Sequence, residues 1–170
     1  MNYKIENTLL TELDYVSNLY DDAIRFQQEN GHPAWLGFDK NVIADDIKSS
    51  NHYKAIFNGE IAIVFSVCYS DKIIWRHMEK GDAVYLHRIV VNPTFRGQKL
   101  FATIVDWAIR HAKAKGFRFI RMDTWAVNTA LADYYKTFGF YFVEYFTTPD
   151  SADLPSQNRN LKITLLELQV

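Results

Sequence analysis

The chain has 170 residues, 48% of them hydrophobic and 23% charged, which is ordinary composition for one globular domain with a full core and argues against disorder. Its 19 basic and 20 acidic residues nearly cancel, so there is no electrostatic footprint for nucleic acid or an anionic membrane surface. The lone cysteine, Cys68, excludes an intrachain disulfide framework, and no zinc-ligand spacing, signal-peptide core or membrane-length apolar run occurs, so a soluble cytoplasmic protein without a metal is expected.

Tyr3 to Glu6 reads as a short first strand. Leu10, Leu13, Val16, Leu19, Tyr20, Ala23, Ile24 and Gln27 then recur at helical spacing, with Thr11 and Asp14 as a start signal and Asn30-Gly31 as a left-handed C-cap. The stretch G-H-P-A-W-L-G-F-D-K breaks that period and reads as a loop carrying His32, Trp35 and Phe38. Aromatic residues on a loop either line a pocket or cap the edge of a core. A second helix is predicted over 40–49, with Asp39 as N-cap and Val42, Ile43 and Ile47 facing inward.

Tyr53–Phe57 and Ile61–Ser70 flank Asn58-Gly59, a hairpin signal because both central residues of such a turn need positive φ. The polar stretch from Asp71 to Asp82, with Trp75, Arg76 and His77, reads as a connector. From Tyr85 to Phe101, Y-L-H-R-I-V-V-N-P-T-F-R-G-Q-K-L-F is an apolar strand that stops at Asn92-Pro93, turns through Gly97 and opens a long helix. Unpaired N–H groups and the positive end of a helix dipole make such a turn a seat for phosphate.

Leu100, Phe101, Ile104, Val105, Ala108, Ile109 and Ala112 form the stripe of that helix, which Lys113, Lys115 and Gly116 end. Phe117–Asp123 reads as the next strand, so strand, helix, strand gives a parallel pair joined by a right-handed crossover. A further helix starts at Asn128, puts Leu131, Tyr135 and Phe138 on one face and ends at Gly139. Strands over 140–146 and 161–168 follow, around a loop holding Asp150 and Asp153. A single mixed α/β domain is the resulting fold class.

Three pieces in order, V-V-N-P-T-F-R-G-Q-K-L, the crossover helix and strand, and N-T-A-L-A-D-Y-Y-K-T-F-G-F, resemble the GNAT superfamily of acyl-CoA N-acyltransferases, most closely between Ile61 and Phe146. The resemblance implies one domain over 1–170, a mostly antiparallel sheet with a central parallel pair, and helices on both faces. It implies that Ile89, Val90 and Val91 lend their backbone to the pantetheine arm of acetyl-CoA. It gives the pyrophosphate to the turn and helix start formed by Arg96, Gly97, Gln98, Lys99, Leu100, Phe101 and Ala102. Asn128 is the implied cofactor contact, Tyr135 the implied general acid, and a homodimer is in keeping with the family. Two positions depart from the pattern: Lys99 and Phe101 stand where small residues are usual, so the lysine adds a charge and the ring threatens to crowd the phosphate. Lys136 follows Tyr135 by one position, where the family often has a basic residue two positions on.

Acyl transfer from a thioester to an amine needs a neutral amine, a polarised carbonyl and a protonated leaving thiolate. A phenol of pKa about 10 at Tyr135 suits the last task; the alternative is a core tyrosine on an apolar helix face. For the base, His87 is placed ahead of Asp123, because histidine titrates near neutrality. Against them stand a hydrogen-bonded core histidine at 87 and, at 123, a surface carboxylate paired with Arg121. A backbone N–H at Val90 or Val91 is the carbonyl's implied partner. Trp35, Trp75 and Trp125, with His77, Asp150 and Asp153, are the candidates for holding the acceptor, read as a primary amine of a small molecule, amino acid or peptide. Two other classes stay open: a non-catalytic acyl-CoA sensor, and a partner-binding domain that has lost the cofactor. Loss of acetylation in Tyr135→Phe, cofactor binding without turnover, or neither separates the three.

Overall fold

The computed structural model describes residues 3–170. Among them lie seven strands, β1 (Lys4–Asn7), β2 (His52–Phe57), β3 (Glu60–Cys68), β4 (Ala83–Val91), β5 (Phe119–Trp125), β6 (Tyr141–Thr147) and β7 (Lys162–Gln169). The helices are α1 (Leu13–Glu29), α2 (Lys40–Lys48), α3 (Lys72–Trp75), α4 (Phe101–Lys115) and α5 (Thr129–Lys136). The strand order is β1-β2-β3-β4-β5-β7-β6, and β4 and β5 run parallel as the crossover reading expects. Two compact units are distinguished, Met1–Val67 with Leu86–Trp107 and Cys68–Tyr85 with Ala108–Val170. Their boundaries fall inside β3, β4 and α4.

In the first unit the β2–β3 hairpin turns through Asn58 at φ 51° and Gly59 at φ 84°, the two positive angles the Asn-Gly pair predicts. The first helix starts differently from its expected signal. A 3-10 turn over Leu10–Glu12 precedes α1, and the Glu12 carboxylate accepts the Leu9 N–H at 2.8 Å, so neither Thr11 nor Asp14 caps it. Asp39 caps α2 by accepting the Asn41 N–H at 2.8 Å. On α2 the inward residues are Ile43, Ala44 and Ile47, whereas Val42 is 38% exposed, because the Ile43–Ile47 stripe takes the core face and leaves its neighbour at the edge.

Helices cover both faces of this part of the sheet. Val64 and Val90 pack with Val16, Leu19 and Tyr20 of α1 and Ile43 and Ile47 of α2. Phe65, the next residue on β3 and hence on the opposite face, packs edge-on against Trp107 of α4 at 5.1 Å between centroids.

In the second unit β5 is flanked by β4, in register from Ala83–Phe119 to Tyr85–Arg121, and by β7, from Phe119–Gln169 to Trp125–Ile163. The strand begins and ends two residues later than the sequence suggests, so Asp123 lies within it. Asp71–Asp82 is not an irregular connector. Asp71 accepts the Ile74 N–H at 3.2 Å and caps α3, whose four residues are too few to show a period in sequence. Trp75, at its end, is 0% exposed and belongs to a core cluster with Ile74, Ala83, Tyr85, Ile163 and Leu165. No helix among the described residues is long and apolar enough to cross a membrane, and no group of three or more potential metal ligands occurs among them.

Candidate active site

In the first unit the turn after β4 is built from its side chains inward. Asn92 accepts the Thr94 N–H at 3.0 Å and donates to the Ile61 carbonyl at 2.8 Å and to the Tyr15 hydroxyl at 3.2 Å, which fixes the exit of β4. Gly97 and Lys99 then take φ of 81° and 54°. Lys99 therefore adopts the left-handed backbone for which the usual glycine is suited. Among the described residues no hydrogen bond takes the N–H of Gly97, Lys99 or Leu100. These free N–H groups, either side of the Gln98 N–H that bonds the Phe95 carbonyl, stand next to the start of a 15-residue helix and suit an anion.

The second departure from the family pattern is resolved by burial. Phe101 is only 5% exposed and Leu100 3%, so both side chains enter the core while Gln98 and Lys99 stay outside. Arg96 is exposed, with its guanidinium 3.9 Å over the Phe26 ring, beside a surface cavity of about 310 Å3 also lined by Asp22, Arg25, Glu29 and Pro93. Ala102 is half-buried at the first turn of α4. On β4, Val90 faces the core cluster while Ile89 and Val91 are half-buried.

His87 is half-buried, and burial together with the charge of Arg88 lowers its pKa to about 4, so it is neutral at physiological pH. Its neighbour Arg88 holds φ at 51° in the middle of a strand. Nothing in the sequence marks that position, because arginine carries none of the glycine or asparagine signal that usually announces a left-handed residue.

In the second unit Asp123 is half-buried, and desolvation plus the nearby Asp71 carboxylate raise its pKa to about 7. Among the described residues its carboxylate accepts no hydrogen bond. Arg121, two residues earlier on the same face, does not pair with it. The guanidinium donates to Glu167 at 2.6 Å, because Glu167 is its registered neighbour on β7 whereas Asp123 stands opposite Leu165. Tyr135 is half-buried on α5, and burial, Tyr134 and Asp123 raise its pKa, so the phenol keeps its proton throughout the neutral range. Asn128 caps α5 by accepting the Leu131 N–H at 3.2 Å, which commits its Oδ1 and leaves its amide N–H groups to offer a ligand.

The acceptor candidates scatter. Trp35 is half-buried, stacks edge-on with Phe38 at 4.8 Å and packs against the α1–α2 core, with its backbone N–H on Gln27 at 3.2 Å. Trp125 is half-buried at the end of β5, and Trp75, expected on a loop, has no exposed surface. Arg121 lies 4.6 Å over the Trp75 ring. His77, Asp150 and Asp153 are exposed. The sequence reading does not single out Asp71, although S-D-K-I-I-W carries an acidic N-cap one residue before an apolar pair.

Residues 17–140 match the Acetyltransferase (GNAT) family. The chain belongs to that family. It is similar to YesJ of Bacillus subtilis, described as an uncharacterized N-acetyltransferase, at 26% identity over 83% of this chain and 89% of that protein. The crystal structure of a GNAT-family acetyltransferase from Listeria monocytogenes superposes with a TM-score of 0.80 at 21% identity, covering 99% of this chain and 95% of the other. The structure of yncA, an acetyltransferase from Salmonella typhimurium with its cofactor acetyl-CoA, gives a TM-score of 0.68 at 17% identity, over 99% and 94% of the two chains. This GNAT protein is thus an acetyltransferase, of a family that uses acetyl-CoA and acts on amines.

Proposed function

We propose that this GNAT protein transfers the acetyl group of acetyl-CoA directly to a primary amine of a small molecule, amino acid or peptide. The observation that carries the reading is the pair on the second unit: Asp123 titrates near neutrality while Tyr135, coupled to it, stays protonated. Two groups whose environments separate their protonation states in this way suit a base and an acid. Asp123, as carboxylate, takes the proton of the attacking amine directly or through water. As the new N–C bond forms and the C–S bond breaks, the Tyr135 hydroxyl gives its proton to the departing sulfur. His87 moves behind Asp123 as base, since a group half-protonated only near pH 4 has little affinity for a proton at neutrality.

The cofactor's pyrophosphate is assigned to the N–H groups of Gly97, Lys99 and Leu100 with the side chains of Arg96 and Lys99. Gln98, Phe101 and Ala102 would complete the turn and helix start that hold the phosphates. Ile89, Val90 and Val91 take the pantetheine arm, one N–H of Val90 or Val91 polarises the thioester carbonyl, and the Asn128 amide adds a contact. Of the aromatic candidates for the acceptor, Trp35 in the first unit and Trp125 in the second each keep some exposed surface, whereas Trp75 has none. The buried Phe101 ring and the left-handed Lys99 support a seat that is intact, which favours the enzyme over a domain that has lost its cofactor.

The test is the melting temperature of the purified protein with and without acetyl-CoA. A ligand at a hundred times its Kd stabilises by about 2.7 kcal/mol, a rise of roughly 5–11 °C for a chain of this size. No rise at millimolar acetyl-CoA overturns the proposal; a rise without acetylation of any amine in a broad panel leaves the sensor reading in its place.

A further inference from the structure

The left-handed Arg88 is held from two directions within the first unit. Its carbonyl accepts the Tyr20 hydroxyl at 3.0 Å, and its guanidinium pairs with Asp46 of α2, whose same Oδ2 also accepts the Ser66 hydroxyl at 2.7 Å. Behind Tyr20 stand His52 Nε2 at 3.1 Å and, on the other ring nitrogen, the Thr8 hydroxyl at 2.7 Å. Tyr20 and His52 are 0% exposed and Thr8 2%.

The direction of that chain follows from counting protons. Tyr20 has one hydroxyl hydrogen and gives it to the Arg88 carbonyl, so His52 must donate from Nε2 to the Tyr20 oxygen, and its bare Nδ1 accepts from Thr8. Burial lowers the His52 pKa to about 4, so the ring is neutral, and with its one proton on Nε2 the Nδ1 is left to accept. A non-glycine residue at φ 51° inside a strand is unfavourable on its own, so the surroundings must hold it there.

Resting on the function proposed above, we infer that Thr8, His52, Tyr20, Asp46 and Ser66 form a bracket that sets the backbone of β4 at Arg88 and so aims the Ile89–Val91 N–H and C=O groups at the acetyl-pantetheine arm. A local irregularity re-aims the residues that follow it, and here those residues are the ones given to the cofactor. Tyr20 and Asp46 are then positioning residues on helices whose sequence stripe reads as plain core packing.

The inference is tested with acetyl-CoA as the probe, by calorimetric Kd, and by melting temperature. Tyr20→Phe keeps the ring and removes only the hydroxyl; it is expected to lower the melting temperature and to weaken acetyl-CoA roughly tenfold. Arg88→Gly and Arg88→Ala both remove the guanidinium, but only glycine adopts positive φ without penalty, so the glycine variant is expected to bind several-fold more tightly than the alanine variant. A purely structural bracket would lower the melting temperature in Tyr20→Phe and leave Kd unchanged, which overturns the inference. Equal losses in the two Arg88 variants also overturn it, since they would show the guanidinium itself gripping a ligand. If the unaltered protein does not bind acetyl-CoA, the functional reading falls and takes this one with it; if it binds and Tyr20→Phe binds as well, only the bracket falls.

Discussion

Tyr20 and Tyr135 both carry pKa values raised by removal from water, and they sit in opposite kinds of company. Tyr20 of the first unit is tied to His52, whose pKa burial drives down to about 4, so no proton moves in that network across the physiological range. Tyr135 of the second unit is coupled to Asp123, whose pKa burial drives up to about 7. The same physical cause, removal from water, has opposite consequences because it suppresses the charged form of each group: a histidine is left neutral and static, an aspartate is left poised to exchange its proton. Desolvation alone therefore does not mark a catalytic group; the direction in which it moves a particular residue relative to neutral pH does.

The largest effect should come from the mobile pair. Tyr135→Phe removes the proposed proton donor and should lower kcat by roughly 10²- to 10⁴-fold, with the acetyl-CoA-induced rise in melting temperature retained. A variant with near-normal turnover would return Tyr135 to the role of a packing residue. Asp123→Asn should lower kcat/KM by about 10²-fold at pH 8, and it should remove the rise of activity with pH through about 7 that is expected of the unaltered enzyme as the carboxylate forms.

The stability of the two networks should respond to pH with opposite signs. Asp123 holds its proton more tightly folded than unfolded, so the stability it contributes is complete below about pH 4 and is lost as pH rises towards 7; Asp123→Asn should melt higher than the parent at pH 8 and the gap should close in acid. His52 binds its proton less tightly folded than unfolded, so its contribution is complete above about pH 6.5 and is lost as pH falls towards 4. His52→Gln should flatten part of that acid-side decline, to which His87 and His111, displaced in the same direction, also contribute. Melting curves from pH 4 to 8 check both; parallel profiles for parent and Asp123→Asn would remove the case for an aspartate poised near neutrality.

The contrast also shows what a sequence displays. Local signals come from residues close in the chain, so the Asn58-Gly59 hairpin, the Asp39 cap, the strand and turn through Gly97 and the Asn128 helix start were all legible. The Arg121–Glu167 pair was not, since 46 residues separate two side chains that only the β5–β7 register brings together. The bracket around Arg88 was hidden twice: Tyr20 falls on a helical stripe whose other members are packing residues, and Thr8, His52 and Arg88 meet through contacts spanning 32 to 68 residues. Phe101 could be judged only as a side chain of awkward size until its burial showed which way it points. The sequence offers only ordinary pKa values for His87 and Asp123, and the environments that lower the first and raise the second come from tertiary packing.

Lys99 gives the smallest effect and the finest test of the phosphate turn. Its backbone is left-handed, so Lys99→Gly relieves steric strain but admits a more flexible unfolded chain, and these should nearly cancel, within about 1 kcal/mol. The ammonium is exposed, so its contact with a phosphate is screened by salt over a Debye length of about 8 Å at physiological ionic strength. Lys99→Gly should therefore weaken acetyl-CoA a few-fold at low salt, with the difference shrinking as salt is added. Titrations in buffers of low and high ionic strength distinguish the contributions. An unchanged Kd in both would place the phosphate on the backbone N–H groups alone, and the lysine would then be tolerated at a glycine position because its side chain points away from the seat.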